Sequence, residues 1–143
     1  MTSPHSLQTA KESIDFLLEV QMINGTFVPI GNHGWYRKGE QRALYDQQSV
    51  EAAVMTEAAI SAFSKTGDTR YRLAAQTIFN WFLGKNTLKL AVYNSDNGGC
   101  YDGITAKGLN LNMGAEAIVC YLSAALDIQS VKHNHTTTMT QNM

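Results

Sequence analysis

Four stretches of the chain carry apolar residues at helical spacing, and they differ in how much of the circumference those residues cover. Over residues 6–21, Leu7, Ala10, Ile14, Leu17 and Leu18 share one side, while Lys11, Glu12, Asp15 and Glu19 take the other. This predicts an amphipathic helix capped by Ser6 and stopped by Asn24-Gly25, a pair suited to left-handed backbone. Residues 1–5 read as a loose start. Over residues 46–65 the pattern changes: Ala52, Ala53, Val54, Met55, Ala58, Ala59, Ile60 and Phe63 spread round most of the helix. A helix apolar nearly all round is a buried one. Asp46 is its expected N-cap, and Thr66-Gly67-Asp68 stops it and restarts the next. Residues 69–83 are one-sided again, with Tyr71, Ala74, Ala75, Ile78 and Phe82 on one stripe and Arg70, Arg72, Gln76 and Asn80 elsewhere. The fourth helix is expected over residues 112–128, opened by Asn112, and it reads as dry all round like the second. Residues 129–143 are polar and aperiodic and read as a disordered tail.

Between the helices lie two long connections. Residues 26–44 hold a short extended piece, Thr26 to Ile30, and then the turn-rich, aromatic run Gly31-Asn32-His33-Gly34-Trp35-Tyr36-Arg37. Residues 87–111 hold a brief strand at 88–93 and the turn signals Asn97-Gly98 and Asp102-Gly103. Long loops in a compact domain are uncommon and are usually functional or disordered; the aromatic content here favours function. Loop length alternates long, short, long, so in an up-and-down array both long loops share one end with the N-termini of the second and fourth helices. The prediction is an all-α fold of antiparallel helical hairpins: a partial (α/α) toroid of about four helices over residues 6–128, with both long loops on one face. An ordinary four-helix bundle is the rival, and the contrast between one-sided and all-round apolar helices speaks against it.

The chain opens two helices in the same way. Tyr45-Asp46-Gln47-Gln48-Ser49-Val50-Glu51-Ala52 and Asn110-Leu111-Asn112-Met113-Gly114-Ala115-Glu116-Ala117 each run from amides to a Glu one turn inside an apolar body. These openings, together with Phe27-Val28-Pro29-Ile30-Gly31 and Trp35-Tyr36, Trp81-Phe82-Leu83-Gly84-Lys85-Asn86 and Gly98-Gly99-Cys100-Tyr101-Asp102-Gly103, form an ordered set. The set resembles the C-terminal part of the (α/α) toroid region found with bacterial glycosyltransferases, related to the six-hairpin glycosidase superfamily. The resemblance spans residues 7–127. It implies a carbohydrate-related segment that binds sugar or glycan, with a glycosyltransferase domain or another copy of the chain as further partners. Such toroids need about twelve helices, so the four here imply a fragment or one part of a larger assembly.

Composition narrows the classes further. Among 143 residues 44% are hydrophobic and only 16% charged, against a usual ~25% charged. That balance suits a chain with more interior than its own size supplies. The net charge is −1 with no basic stripe, which argues against nucleic acid. No apolar run approaches the ~20 residues of a membrane span, and the first residues lack a secretory signal, so the expectation is a cytoplasmic chain. Cys100 and Cys120 read as free thiols, in keeping with a reducing compartment.

Sugars are held by aromatic faces and by planar amides, carboxylates and guanidinium groups that meet their hydroxyls. His33, Trp35, Tyr36, Arg37, Asp46, Gln47, Gln48, Tyr101, Asn110 and Asn112 supply that mixture as ligand-binding candidates. For Trp35 and Tyr36 the competing role is to cover the core; for Asp46 and Asn112 it is helix capping. Glu51, Glu116 and Asp102 are the catalytic candidates, as a carboxylate pair for glycoside hydrolysis. For the two glutamates the bland role is satisfying loop N–H groups, and for Asp102 an Asx turn. No cofactor fingerprint or phosphate loop is present, and His133 and His135 lack the further ligands a metal requires. These residues do not name a reaction.

Overall fold

The computed structural model describes residues 3–140, with side chains described as far as Val131. Its described elements run α1 (Pro4–Gln21), β1 (Met22–Ile23), β2 (Thr26–Phe27), β3 (Gln47–Gln48), α2 (Ser49–Thr66), α3 (Thr69–Phe79), β4 (Gly103–Thr105), β5 (Gly108–Asn110) and α4 (Ala115–Thr140). The strands form two small antiparallel sheets, β1-β2 and β3-β4-β5. The fold is therefore mixed α and β, not the all-α partial toroid that periodicity predicts. The physical reason is length. A strand of two or three residues shows no alternation, and only its partner across the ladder defines it.

Each departure has a local cause. Ser3, not Ser6, caps α1, its side chain accepting the Ser6 N–H at 3.1 Å. Asn24 and Gly25 are not the helix stop. Both have positive φ, 50° and 77°, and they form the two-residue turn joining β1 to β2. Asn-Gly is the favoured pair for such a hairpin because its backbone twist matches that of the flanking strands. α2 starts at Ser49 rather than Asp46 because Gln47 and Gln48 are extended, paired with Ile104 and Gly103. Gln48 is the N-cap residue, and a capping box joins it to Glu51. The strand expected at 88–93 is reduced to a single bridge, Tyr93 to Cys100; the real ladder lies farther on, in β4 and β5.

α3 ends at Phe79, four residues early. From Trp81 to Leu83 each N–H reaches back three residues, to Ile78, Phe79 and Asn80, so the chain tightens into turns. Tightening brings the adjacent Trp81 and Phe82 both fully inside. Asn86 holds the next bend, donating to the carbonyls of Trp81 (2.8 Å) and Leu90 (2.7 Å) and accepting from Leu88 N–H. Trp81-Phe82-Leu83-Gly84-Lys85-Asn86 is thus a structural unit.

The core gathers Phe27, Tyr71, Ile78, Trp81, Phe82, Val92 and Ile104 between α2, α3, α4 and the loops. Tyr121 of α4 stacks on Tyr93 at 4.0 Å between centroids and meets Phe82 edge-on, tying α4 to the second long loop. α1 is attached through Ile14 and through Asp15, which accepts from Tyr71 (2.7 Å) and Lys11 (2.6 Å). Those two partners hold the Asp15 carboxyl below the usual carboxylate range.

α2 is largely covered, but α4 is not the dry helix its composition predicts. Ala117, Ala124 and Ile128 are buried, whereas Val119, Leu122 and Leu126 are 64%, 53% and 66% exposed. α4 runs to Thr140, past the end expected near residue 128; no Gly or Pro follows Gly114 to stop it. His133 and His135 lie outside the described side chains, and residues 141–143 outside the described residues. No described helix is long and apolar enough to cross a membrane.

Candidate functional site

The first turns of α2 and α4 open side by side, and β4 runs between them. Antiparallel pairing of Gln48 with Gly103 sets Asp102 next to Ser49, whose N–H donates to the Asp102 carbonyl at 3.3 Å. On the other side, Asp102 N–H donates to the Asn112 carbonyl at 2.9 Å. The pairing of β3 with β4 is close. A Cβ added at Gly103 would overlap the Gln47 carbonyl, so only glycine fits there.

Two clefts flank this seam. One, of about 200 Å³, is lined by Asn32, Asp46, Gln47, Gln48, Asp102, Thr105 and Asn110 over a floor of Gly103 and Ile104. The other, of about 310 Å³, is lined by Gln48, Ser49, Asp102, Gly114 and Glu116 with Ala115 and Ala117. Gln48 and Asp102 belong to both and form the ridge between them. Asp46, Asp102 and Glu116 make the lining acidic, and no Lys or Arg is among the described lining residues.

Apart from Glu51 and Asn112, the predicted residues divide into three groups. Asp46, Gln48, Asn110, Asp102 and Glu116 line the two clefts, and buried Gln47 also borders the smaller one. Asp46 does so from the loop, since it does not cap α2; its carbonyl accepts the Asn32 N–H. Asp102 is heavily engaged. Its Oδ1 accepts the Gly114 N–H at 2.7 Å, and its Oδ2 accepts from the Asn112 side chain. Asn112 is accordingly a clamp on Asp102 rather than the start of α4, which begins three residues on.

The second group is taken up by the fold. Gln47 is 1% exposed. Its Oε1 accepts from Trp81 Nε1 at 2.8 Å, and its Nε2 donates to the Leu44 carbonyl and to Thr87 Oγ1. Both ends of that amide are engaged within the fold, so where Gln47 lines the smaller cleft its side chain has only the second lone pair of Oε1 to offer. Tyr101 is half-buried, with its hydroxyl 3.4 Å from Asn94 Nδ2. The third group, His33, Trp35, Tyr36 and Arg37, is exposed on the loop that carries Asn32 and Asp46, outside the lining of both clefts. Backbone bonds from Gly31 and Ala43 N–H to Ala43 and Trp35 carbonyls fold that loop back on itself.

Glu51 stands apart from Glu116. It lines a third cleft of about 300 Å³ with Gln21, Val50, Val54 and Met55. Burial pushes its carboxyl up to about 7, against the opposing pull of the Gln48 N–H it accepts. Asn32, Thr105 and Ser49 are cleft residues that the sequence reading missed. Asn32 had a weak signal in the Gly31-Asn32 turn; Thr105 had none, since its hairpin shows no periodicity.

Neither thiol lines one of these clefts. Cys100 is buried, its thiol pushed up to about 11 by that burial, and Cys120 is raised for the same reason. Among the described residues no group of three or more His, Cys, Asp or Glu is placed to hold a metal ion. Compared with known proteins, the chain matches no family model, no curated protein and no solved structure.

Proposed function

We propose that the chain binds a sugar or glycan across the seam between α2 and α4, as a carbohydrate-related module of glycan metabolism. The observation that carries this reading is the pair of clefts sharing Gln48 and Asp102, rich in amide, hydroxyl and carboxylate groups and without a cation. Such a lining suits a neutral polyol, whose hydroxyls both donate and accept, and it repels phosphate and nucleic acid. Exposed Trp35 and Tyr36 on the adjoining loop offer the aromatic faces on which sugar rings stack. The ordered motifs that resemble the region accompanying bacterial glycosyltransferases point to the same ligand class.

The geometry favours binding over hydrolysis. Two-carboxylate hydrolysis needs both carboxyl groups flanking one bond. Here Glu51 and Glu116 line different clefts, and Asp102, which shares a cleft with Glu116, has both oxygens engaged by Asn112 and Gly114. The test is a glycan array followed by titration of whatever binds. Gln48→Ala and Asn110→Ala, each removing one cleft amide, are expected to weaken binding by about tenfold while circular dichroism stays unchanged. Unchanged affinity in both folded variants would end the reading.

A second reading is favoured by one specific feature, the exposed Val119, Leu122 and Leu126 on α4. In that reading the chain is an assembly module that completes its core against a partner chain, a transferase domain or another copy of itself.

A further inference from the structure

A cleft of about 500 Å³ lies away from the seam, between the first half of α1 and the second half of α2. Its walls are two helical stripes of the same spacing: Leu7, Ala10, Lys11 and Ile14 on α1, and Ala58, Ser61, Ala62 and Lys65 on α2. Buried Ile14 and Tyr71 close the bottom. Apolar stripes on neighbouring helices ordinarily interdigitate and leave no room. Here the hydrogen bond from Tyr71 of α3 to Asp15 fixes α1 lower down, and Ala10, Ala58 and Ala62 are too short to fill what remains. The result is an open trough with mostly apolar walls, the reverse of the polar linings at the seam.

Charge distinguishes it as well. No Asp or Glu is among its lining residues, and two lysines are. Lys11 is neutralised by Asp15 at 2.6 Å. Lys65, exposed in the last turn of α2, has no carboxylate partner among the described residues. That position also suits the helix dipole, so Lys65 alone does not make a site. An unpaired cation beside an apolar trough, however, complements a molecule built the opposite way.

We propose that this cleft binds a single-chain amphiphile with an anionic head, of the class of medium-chain fatty acids. The alkyl chain lies along Leu7, Ala10, Ala58 and Ala62 over Ile14, and the carboxylate meets Lys65. A neutral sugar would set its hydroxyls against apolar walls, and a cationic amphiphile would bring like charge to Lys65. The volume falls within the range of small-molecule sites. The proposal stands apart from the sugar reading, since this cleft shares no lining residue with the two at the seam.

The experiment is a methyl NMR titration of the full chain with decanoate, decanol and decyltrimethylammonium, three heads on one chain length, below the concentrations at which they form micelles. Decanoate is expected to bind about fivefold more tightly than decanol and to shift the methyls of Leu7, Ile14, Ala58 and Ala62. Lys65→Gln should remove that preference and leave decanol binding unchanged. Ala62→Leu fills the trough and should abolish binding of both while circular dichroism stays unchanged. A preference for decanoate that survives Lys65→Gln would overturn the proposal, as would binding that survives in folded Ala62→Leu. Equal or tighter binding of decyltrimethylammonium would overturn it too, because the head would then not be read by charge. Binding of none of the three would also overturn it, and a mass above 15.7 kDa in light scattering would then assign the trough to a second copy of the chain.

Discussion

Gln47 shows what a polar side chain does when the fold closes over it. Both ends of its amide are engaged, by Trp81, Leu44 and Thr87, so it joins β3 to the aromatic core and to the loop after α3. Replacing it with Ala leaves the Trp81 indole N–H buried with no acceptor. An unsatisfied buried donor costs ~1–3 kcal/mol, so Gln47→Ala is expected to lose about that much in urea unfolding. Trp81→Phe in the Gln47→Ala background removes the orphaned donor and should recover part of the loss. Asp102 is similar in kind: its position among Ser49, Asn112 and Gly114 makes it the joint of the seam before it is anything else.

At the scale of elements, β4 decides where the helices begin. Its pairing draws Gln47 and Gln48 into extended backbone, delays α2 to Ser49 and leaves Gln48 exposed on the ridge. Gly103 is where this depends on one residue, because a side chain there would strike the Gln47 carbonyl. Overpacking of this kind costs ~1–3 kcal/mol, and Gly103→Ala is expected at the upper end because the obstacle is backbone. Thermal unfolding against Gly98→Ala is the check, since a Cβ at Gly98 meets nothing within 4 Å and only its φ of 75° is strained. If Gly98→Ala proved the more damaging, the account of the seam would be wrong.

For the molecule as a whole, the unusual feature is apolar surface. Val119, Leu122 and Leu126 lie along one side of α4, and Leu73 of α3 and Phe16 of α1 are also exposed. Scattered exposed leucines are normal, but three along one helix face form an apolar strip, which the assembly reading assigns to a partner. On the assembly reading, light scattering should give a mass above the 15.7 kDa of one chain at tens of micromolar, and Leu122→Glu should return it to the monomer. A monomer at every concentration would remove another copy of the chain as that partner.

The existence and order of the four helices, the Gly67–Asp68 restart and the polar, Glu-bearing openings at 45–52 and 110–117 were legible in the chain, because each is a local signal, whereas the helix ends were not. Helical period, capping and glycine stops act within a few residues of themselves. The strands were not legible, since Gln47 is extended only because Ile104, far along the chain, pairs with it. Nor could sequence tell which side of the evenly apolar α4 would be wet, or that Gln47 would be sealed while Gln48 stayed open. Those outcomes depend on which surface arrives from elsewhere in the chain. Periodicity sets what a segment is able to bury; contact between distant segments decides what it does bury, and with that which amides and carboxylates remain for a ligand.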